Sequence, residues 1–117
     1  MAIDHLLAVV AVSDLQSSRD WYSVLFGRQP DNDPMSTLTE WHVVPQGFLQ
    51  VFHDPERAGS SLFNMAVDDL DVHIADLQGR GLHPEDVVDA ANGVRLSTLT
   101  DPDGNLIRLI GGFRVEY

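Results

Sequence analysis

Apolar residues recur along this chain first at strand spacing, then at helix spacing, then at strand spacing again. From Ile3 to Val12 the run is apolar on both sides. His5, Leu7, Val9 and Ala11 share one face, and Leu6, Ala8, Val10 and Val12 the other. This predicts a strand in a covered sheet. Ser13 or Asp14 then caps a helix whose Leu15, Trp21, Tyr22, Leu25 and Phe26 fall near one stripe, and Gly27 ends it. Those aromatics read as helix-on-sheet core. Gln29 to Met35, with two prolines, reads as a loop or a poor edge strand. Thr37 to Val44 alternates Leu38, Glu40, His42 and Val44 against Thr39, Trp41 and Val43. Pro45-Gln46-Gly47 reverses the chain. Phe48 to His53 follows as a strand, with Phe48, Gln50 and Phe52 on one face and Leu49, Val51 and His53 on the other.

After a polar linker, Asp54 to Ser61, the pattern restarts. Leu62 to Val67 predicts a strand. Asp68-Asp69 caps a helix carrying Leu70, Ile74 and Leu77, and Gly79 and Gly81 close it. His83 to Val88 is a short strand or loop, Val94 to Thr100 a strand, and Leu106 to Ile110 another. Val12-Ser13-Asp14-Leu15 recurs as Val67-Asp68-Asp69-Leu70, about 55 residues later, and the strand closing each half recurs at nearly the same offset. The chain therefore reads as a duplicated β-α-β-β-β unit, with one module at 1–56 and one at 62–112 inside a single domain of 1–117. A unit this small cannot cover its own sheet, so two must pair, within a chain or between chains. The fold class expected is α+β: two tandem βαβββ modules forming a curved mixed sheet around a cleft, with helices on the outer face.

The last strand is launched by Asp101-Pro102-Asp103-Gly104-Asn105. In this tight turn Pro102 presets φ, the aspartates bond their own backbone, and Gly104 supplies a positive φ. Together with Val-Ser-Asp-Leu before a Trp-Tyr helix, this turn resembles the vicinal oxygen chelate superfamily, the group of glyoxalase I, bleomycin-resistance proteins and extradiol dioxygenases. The resemblance spans residues 3 to 112. It implies the fold strongly and the function weakly, because members share a scaffold and differ in the cleft.

In the metal-dependent members each half gives two ligands to one divalent ion, which polarises vicinal oxygens of the substrate. Carried over by position, those ligands fall on Leu7, Gln50, Leu62 and Arg108. Two are aliphatic, one is a neutral amide, and a guanidinium cannot ligate a metal. His5, two residues before Leu7 on the same face, and Gln50 are the only plausible donors at or near family positions. No metal or other cofactor is therefore expected. Arg108 is the oddity of an otherwise apolar strand. It either lies over apolar neighbours with its head in water, or pairs with Glu40 or another acid, or binds an anionic or carbonyl-bearing ligand through its planar fork. Glu40 and His42 share a strand face and form a weaker acid-base candidate, as does His5.

Composition narrows the field. The 117 residues are 44% hydrophobic and 21% charged, as in a globular domain. Net charge is −11 and all seven basic residues are Arg, which argues against nucleic-acid binding. With no Cys and no Lys there are no disulfides, thiolate sites, cysteine nucleophiles or side-chain Schiff bases. No apolar run reaches membrane length and no leader pattern opens the chain, so no membrane partner and a cytoplasmic location are expected.

The leading expectation is a binding protein without metal. Its cleft would be lined by Leu7, Trp41, Phe48, Phe52 and Leu62, with Gln50 and Arg108 as polar anchors, would hold a small organic ligand, and would sit in a homodimer by resemblance. Alternatives are a divergent metal-dependent lyase, isomerase or dioxygenase using His5, Glu40 or His42; a metal-free enzyme in which Arg108 stabilises an enolate; and a non-catalytic protein whose cleft is filled by side chains.

Overall fold

The computed structural model describes residues 2–117. Each half folds as a strand, a helix and three strands. The first contains β1 (Leu6–Val12), α1 (Leu15–Phe26), β2 (Asn32–Met35), β3 (Leu38–Val44) and β4 (Gly47–His53). The second contains β5 (Leu62–Ala66), α2 (Leu70–Gly79), β6 (Val88–Asp89), β7 (Arg95–Thr100) and β8 (Leu106–Gly111), with a short 3-10 turn at Ala91–Gly93. Two four-stranded mixed sheets result, ordered β1-β4-β3-β2 and β5-β8-β7-β6. In both, the first strand pairs in parallel with the last, Leu6 opposite Gly47 and Leu62 opposite Leu106. This is the duplicated βαβββ architecture that the sequence pattern predicts.

Local chemistry sets the boundaries. The Asp14 side chain accepts from the Ser17 N–H at 3.1 Å, and Asp69 does the same for Val72 at 3.1 Å. Gly27 ends α1 in the left-handed region, at φ 68. The first strand starts at Leu6 rather than at Ile3, because its partner β4 starts at Gly47 and leaves nothing for residues 3–5 to pair with. β2 is fully exposed and carries Pro34, which only an edge strand tolerates.

Both helices pack on one side of the sheets, and the two modules share a single core. Val10, Val12, Trp41, Leu49 and Val51 meet Tyr22 and Leu25 of α1, and the cluster continues through Leu70, Leu77, Leu99, Ile107 and Leu109. Trp41 corrects one expectation. It lies between Glu40 and His42 on β3, so it points to the opposite face from them. It is fully buried against Tyr22 and Phe26, and its indole N–H donates to the Arg28 carbonyl at 3.2 Å. It is a core residue and does not line the cleft.

The Asp101–Asn105 turn does more than reverse the chain. The buried Asp101 carboxylate accepts from the backbone of Asp103 and Asn105, from the Asn105 amide, each at 2.9 Å, and from the Tyr22 hydroxyl at 2.8 Å. Asn105, 0% exposed, also donates to the Ala11 carbonyl, and its oxygen accepts from Gly59 and Ser61 in the linker. Asp103 accepts from the Ser13 backbone N–H and hydroxyl. Gly59 permits this approach: its φ is +94, and a Cβ there would stand 2.5 Å from the Asp103 carbonyl oxygen. The turn of the second module is thus bolted to the strand, helix and linker of the first. Burial, and then the Asp101 charge, hold the Tyr22 phenol far above its usual value of 10. Arg80 adds a second tie by donating to the Val24 and Leu25 carbonyls at the end of α1. Among the described residues no helix is long and apolar enough to cross a membrane.

Candidate functional site

Strand alternation puts one face of each sheet on the helices and leaves the other open. Register then fixes who shares the open face of the first sheet: Leu7 opposite Phe48, Val9 opposite Gln50, Ala11 and Leu38 opposite Phe52, and Glu40 opposite Gln50. On the second sheet Asn64 and Thr98 flank Arg108, and Leu62 and Thr100 flank Leu106. Leu7, Val9, Leu62 and Leu106 are 38–53% exposed. Large aliphatic side chains in rows on an uncovered sheet mark a surface that meets something other than water.

The first open face carries a polar cluster. Glu40 is buried, 6% exposed, and both its oxygens are engaged: Oε1 with His42 Nε2 at 3.1 Å, and Oε2 accepting from Gln50 Nε2 at 2.8 Å. The His42 ring stacks on Phe48, centroids 3.9 Å apart and planes 16° apart, and the His5 ring meets Phe48 edge-on at 5.1 Å. The His42 backbone is clamped as well. Its N–H donates to Asp31 at 2.7 Å and its carbonyl accepts from Arg28 at 2.9 Å. Arg28 first, then the His42 N–H, hold the Asp31 carboxyl below its usual 3.8.

The second open face is simpler. Arg108 is half-buried and, among the described residues, forms no ion pair and no side-chain hydrogen bond. The pairing with Glu40 offered by the sequence is absent within the chain, because Glu40 is committed to His42 and Gln50. Between the edge strands β1 and β5 lies an apolar groove of about 490 Å³, lined by Leu6, Ala8, Val43, Phe48, Phe63 and Met65 among others.

The structure therefore brings Glu40, His42, Phe48, Gln50 and His5 together, with Leu7 and Phe52 on the same face. It sets Leu62 and Arg108 on the other sheet, and removes Trp41 to the core. Sequence reasoning missed Val9, Asn64 and the groove lining other than Leu7 and Phe48. Asn64 was reachable by counting two residues on from Leu62, but its pairing with Arg108 needed the parallel register.

The four family metal positions carry no set of donors. Leu7 and Leu62 offer no donor atom, the Gln50 amide is tied to Glu40, and Arg108 is a cation. Among the described residues no three His, Asp or Glu side chains are grouped to hold an ion. These residues do not fit a divalent metal.

No family model and no curated protein matches the sequence. Solved structures do. A glyoxalase/bleomycin resistance protein from Catenulispora acidiphila DSM 44928 is 34% identical, with a TM-score of 0.85 over 92% of this chain and 96% of that one. This chain belongs to the glyoxalase/bleomycin resistance family. The family carries the vicinal oxygen chelate fold, which the duplicated modules reproduce. TnmS3, an antibiotic binding protein from Streptomyces sp. CB03234, is 27% identical, with a TM-score of 0.75 over 95% of this chain and 98% of that one. A bleomycin-binding protein solved in complex with bleomycin is 20% identical, with a TM-score of 0.77 over 94% and 99% of the two chains, and shares the fold.

Proposed function

We propose that this member of the family binds a small organic ligand on the open faces of its sheets, without a metal at the family positions, in a cleft that a second copy of the chain completes. The carrying observation is Arg108. A guanidinium on an open sheet face, with no protein partner among the described residues, is a free planar fork suited to a carboxylate or carbonyl. The donor set at Leu7, Gln50, Leu62 and Arg108 supports the metal-free reading. Resemblance to an antibiotic binding protein supports a binding role, and the exposed rows of Leu7, Val9, Leu62 and Leu106 support a homodimer that covers them.

Metal analysis of protein purified without chelator tests the first part: well under one ion per chain is expected, and stoichiometric nickel, zinc, iron or manganese overturns it. Sedimentation tests the dimer, and a monomer at micromolar concentration overturns it. Titration with bleomycin and with 1-naphthoate, read by heat or by thermal unfolding, tests binding. Naphthoate affinity should fall about ten-fold or more in Arg108→Ala, as for loss of a charge-assisted hydrogen bond. Unchanged affinity would remove Arg108 as the anchor.

A further inference from the structure

A ligand-binding face has no evident need for a buried carboxylate, yet Glu40 lies on one with only 6% of its surface exposed. Its chemistry is directed at His42. A ring nitrogen 3.1 Å from a carboxylate oxygen carries the proton, so Nε2 is the donor of this pair. Nδ1 is then the nitrogen with a free lone pair. Among the described residues it has no hydrogen-bond partner, and 42% of the His42 side chain is open. The ring is also held still. It stacks on Phe48, its backbone is clamped by Asp31 and Arg28, and Gln50 fixes the far oxygen of Glu40. A base oriented by a carboxylate, with its second nitrogen open, is how proteins arrange an imidazole to receive a proton.

The geometry points to His42 Nδ1 as the proton acceptor for an acidic hydroxyl, phenolic or enolic, on the ligand, with Glu40 as the positioning residue. This inference rests on the reading of the open face as the ligand site. The ligand O–H bond breaks and an Nδ1–H bond forms. The electron pair stays on the ligand oxygen as phenolate or enolate, and the imidazolium is stabilised by Glu40. Release reverses the step, and no other reactant is needed. The other charged groups around the ring are Asp31 and Arg28, which pair with each other behind its backbone, and His5 with its neighbour Asp4 beyond Phe48. Glu40, bonded to the same ring, repels a carboxylate placed beside it, so a neutral hydroxyl is the form admitted next to His42.

Two probes test this: 4-nitrophenol, whose phenolate is coloured, and its methyl ether 4-nitroanisole, which has the same ring and no proton to give. The native protein should bind 4-nitrophenol about ten-fold tighter than the ether, and turn it to the phenolate spectrum at a pH where the free probe stays protonated. His42→Gln, at a half-exposed side chain, and the near-isosteric Glu40→Gln should each lose the spectral shift and the preference for 4-nitrophenol over the ether. Equal affinity of native protein for both probes overturns the inference and leaves ligand binding standing. Failure to bind either overturns the inference together with the site it rests on. A ligand-free check is the His42 tautomer in long-range proton–nitrogen spectra. Nε2–H is expected, and an Nδ1–H form overturns the assignment.

Discussion

The two modules are built alike and used differently. Both join their third and fourth strands by a tight reversal. In the first module that reversal, at Pro45 and Gln46, is exposed, and among the described residues its hydrogen bond to the rest of the fold runs from the Leu6 N–H to the Gln46 carbonyl. In the second it is the Asp101–Asn105 turn, whose side chains reach Ala11, Ser13, Tyr22 and the linker. The open faces diverge the other way. The first carries Glu40, His42, Phe48 and Gln50 in one bonded, stacked cluster, and the second carries Arg108 alone between Asn64 and Thr98. The modules share their ladders and one helix-side core and differ in their turns and open faces, so one locks the chain and the other holds the richer polar cluster.

The largest expected effect breaks that lock. Asn105→Ala leaves the Ala11 carbonyl and the Gly59 and Ser61 N–H groups without partners in a buried site. Denaturant unfolding should show a loss of about 3–5 kcal/mol. A loss below about 1 kcal/mol would mean the turn is no more than a hairpin, like its counterpart in the first module.

Tyr22→Phe removes the single hydroxyl linking α1 to Asp101 and should cost about 1.5–3 kcal/mol, as for a hydrogen bond to a charged group. It also carries a pH signature. Because the folded protein holds the Tyr22 phenol protonated, its contribution is full below pH 10 and is lost as pH rises beyond that. Native stability should therefore fall on the alkaline side of pH 10, and the variant should fall less steeply. Parallel alkaline limbs would show that Tyr22 is not the titrating group.

Thr39→Val tests the core of the first module with the opposite sign. The Thr39 hydroxyl is fully buried and has no partner among the described residues, so an apolar residue of the same shape should stabilise the fold by about 1 kcal/mol. A destabilised variant would imply a bond that this hydroxyl makes to ordered water.

The smallest expected effect is Arg108→Ala. A side chain on an open face with no partner among the described residues should change stability by no more than about 0.5 kcal/mol. A loss above about 2 kcal/mol would place Arg108 in a buried pair, as across the proposed dimer, and away from the ligand, which redraws the comparison of the two faces.

Much of this architecture could be read from residue order. Alternation separated Phe48, Gln50 and Phe52 from Leu49 and Val51, and the offset repeat of Val-Ser-Asp-Leu revealed the duplication. The same alternation already set Trp41 opposite Glu40, on the face that packs against Tyr22 and Phe26 and away from the cleft. The Glu40–His42 spacing was visible, but whether the pair was bonded or solvated was not. Side-chain contact depends on rotamers and on the neighbour strand, here Gln50 and Phe48 of β4, neither of which i, i+2 spacing specifies.

The sequence by itself determined the order of elements, their caps, the face each residue takes and the family, because these follow from local periodicity and from short turn and cap motifs. It also determined that Arg108 stands where a metal ligand would be expected. Only the tertiary structure decided that the Asp101–Asn105 turn bolts the modules together, that Glu40 is spent on His42 and Gln50, and that Arg108 is left without a partner among the described residues. Those are facts of long-range register and burial, created when strands distant in sequence are laid side by side.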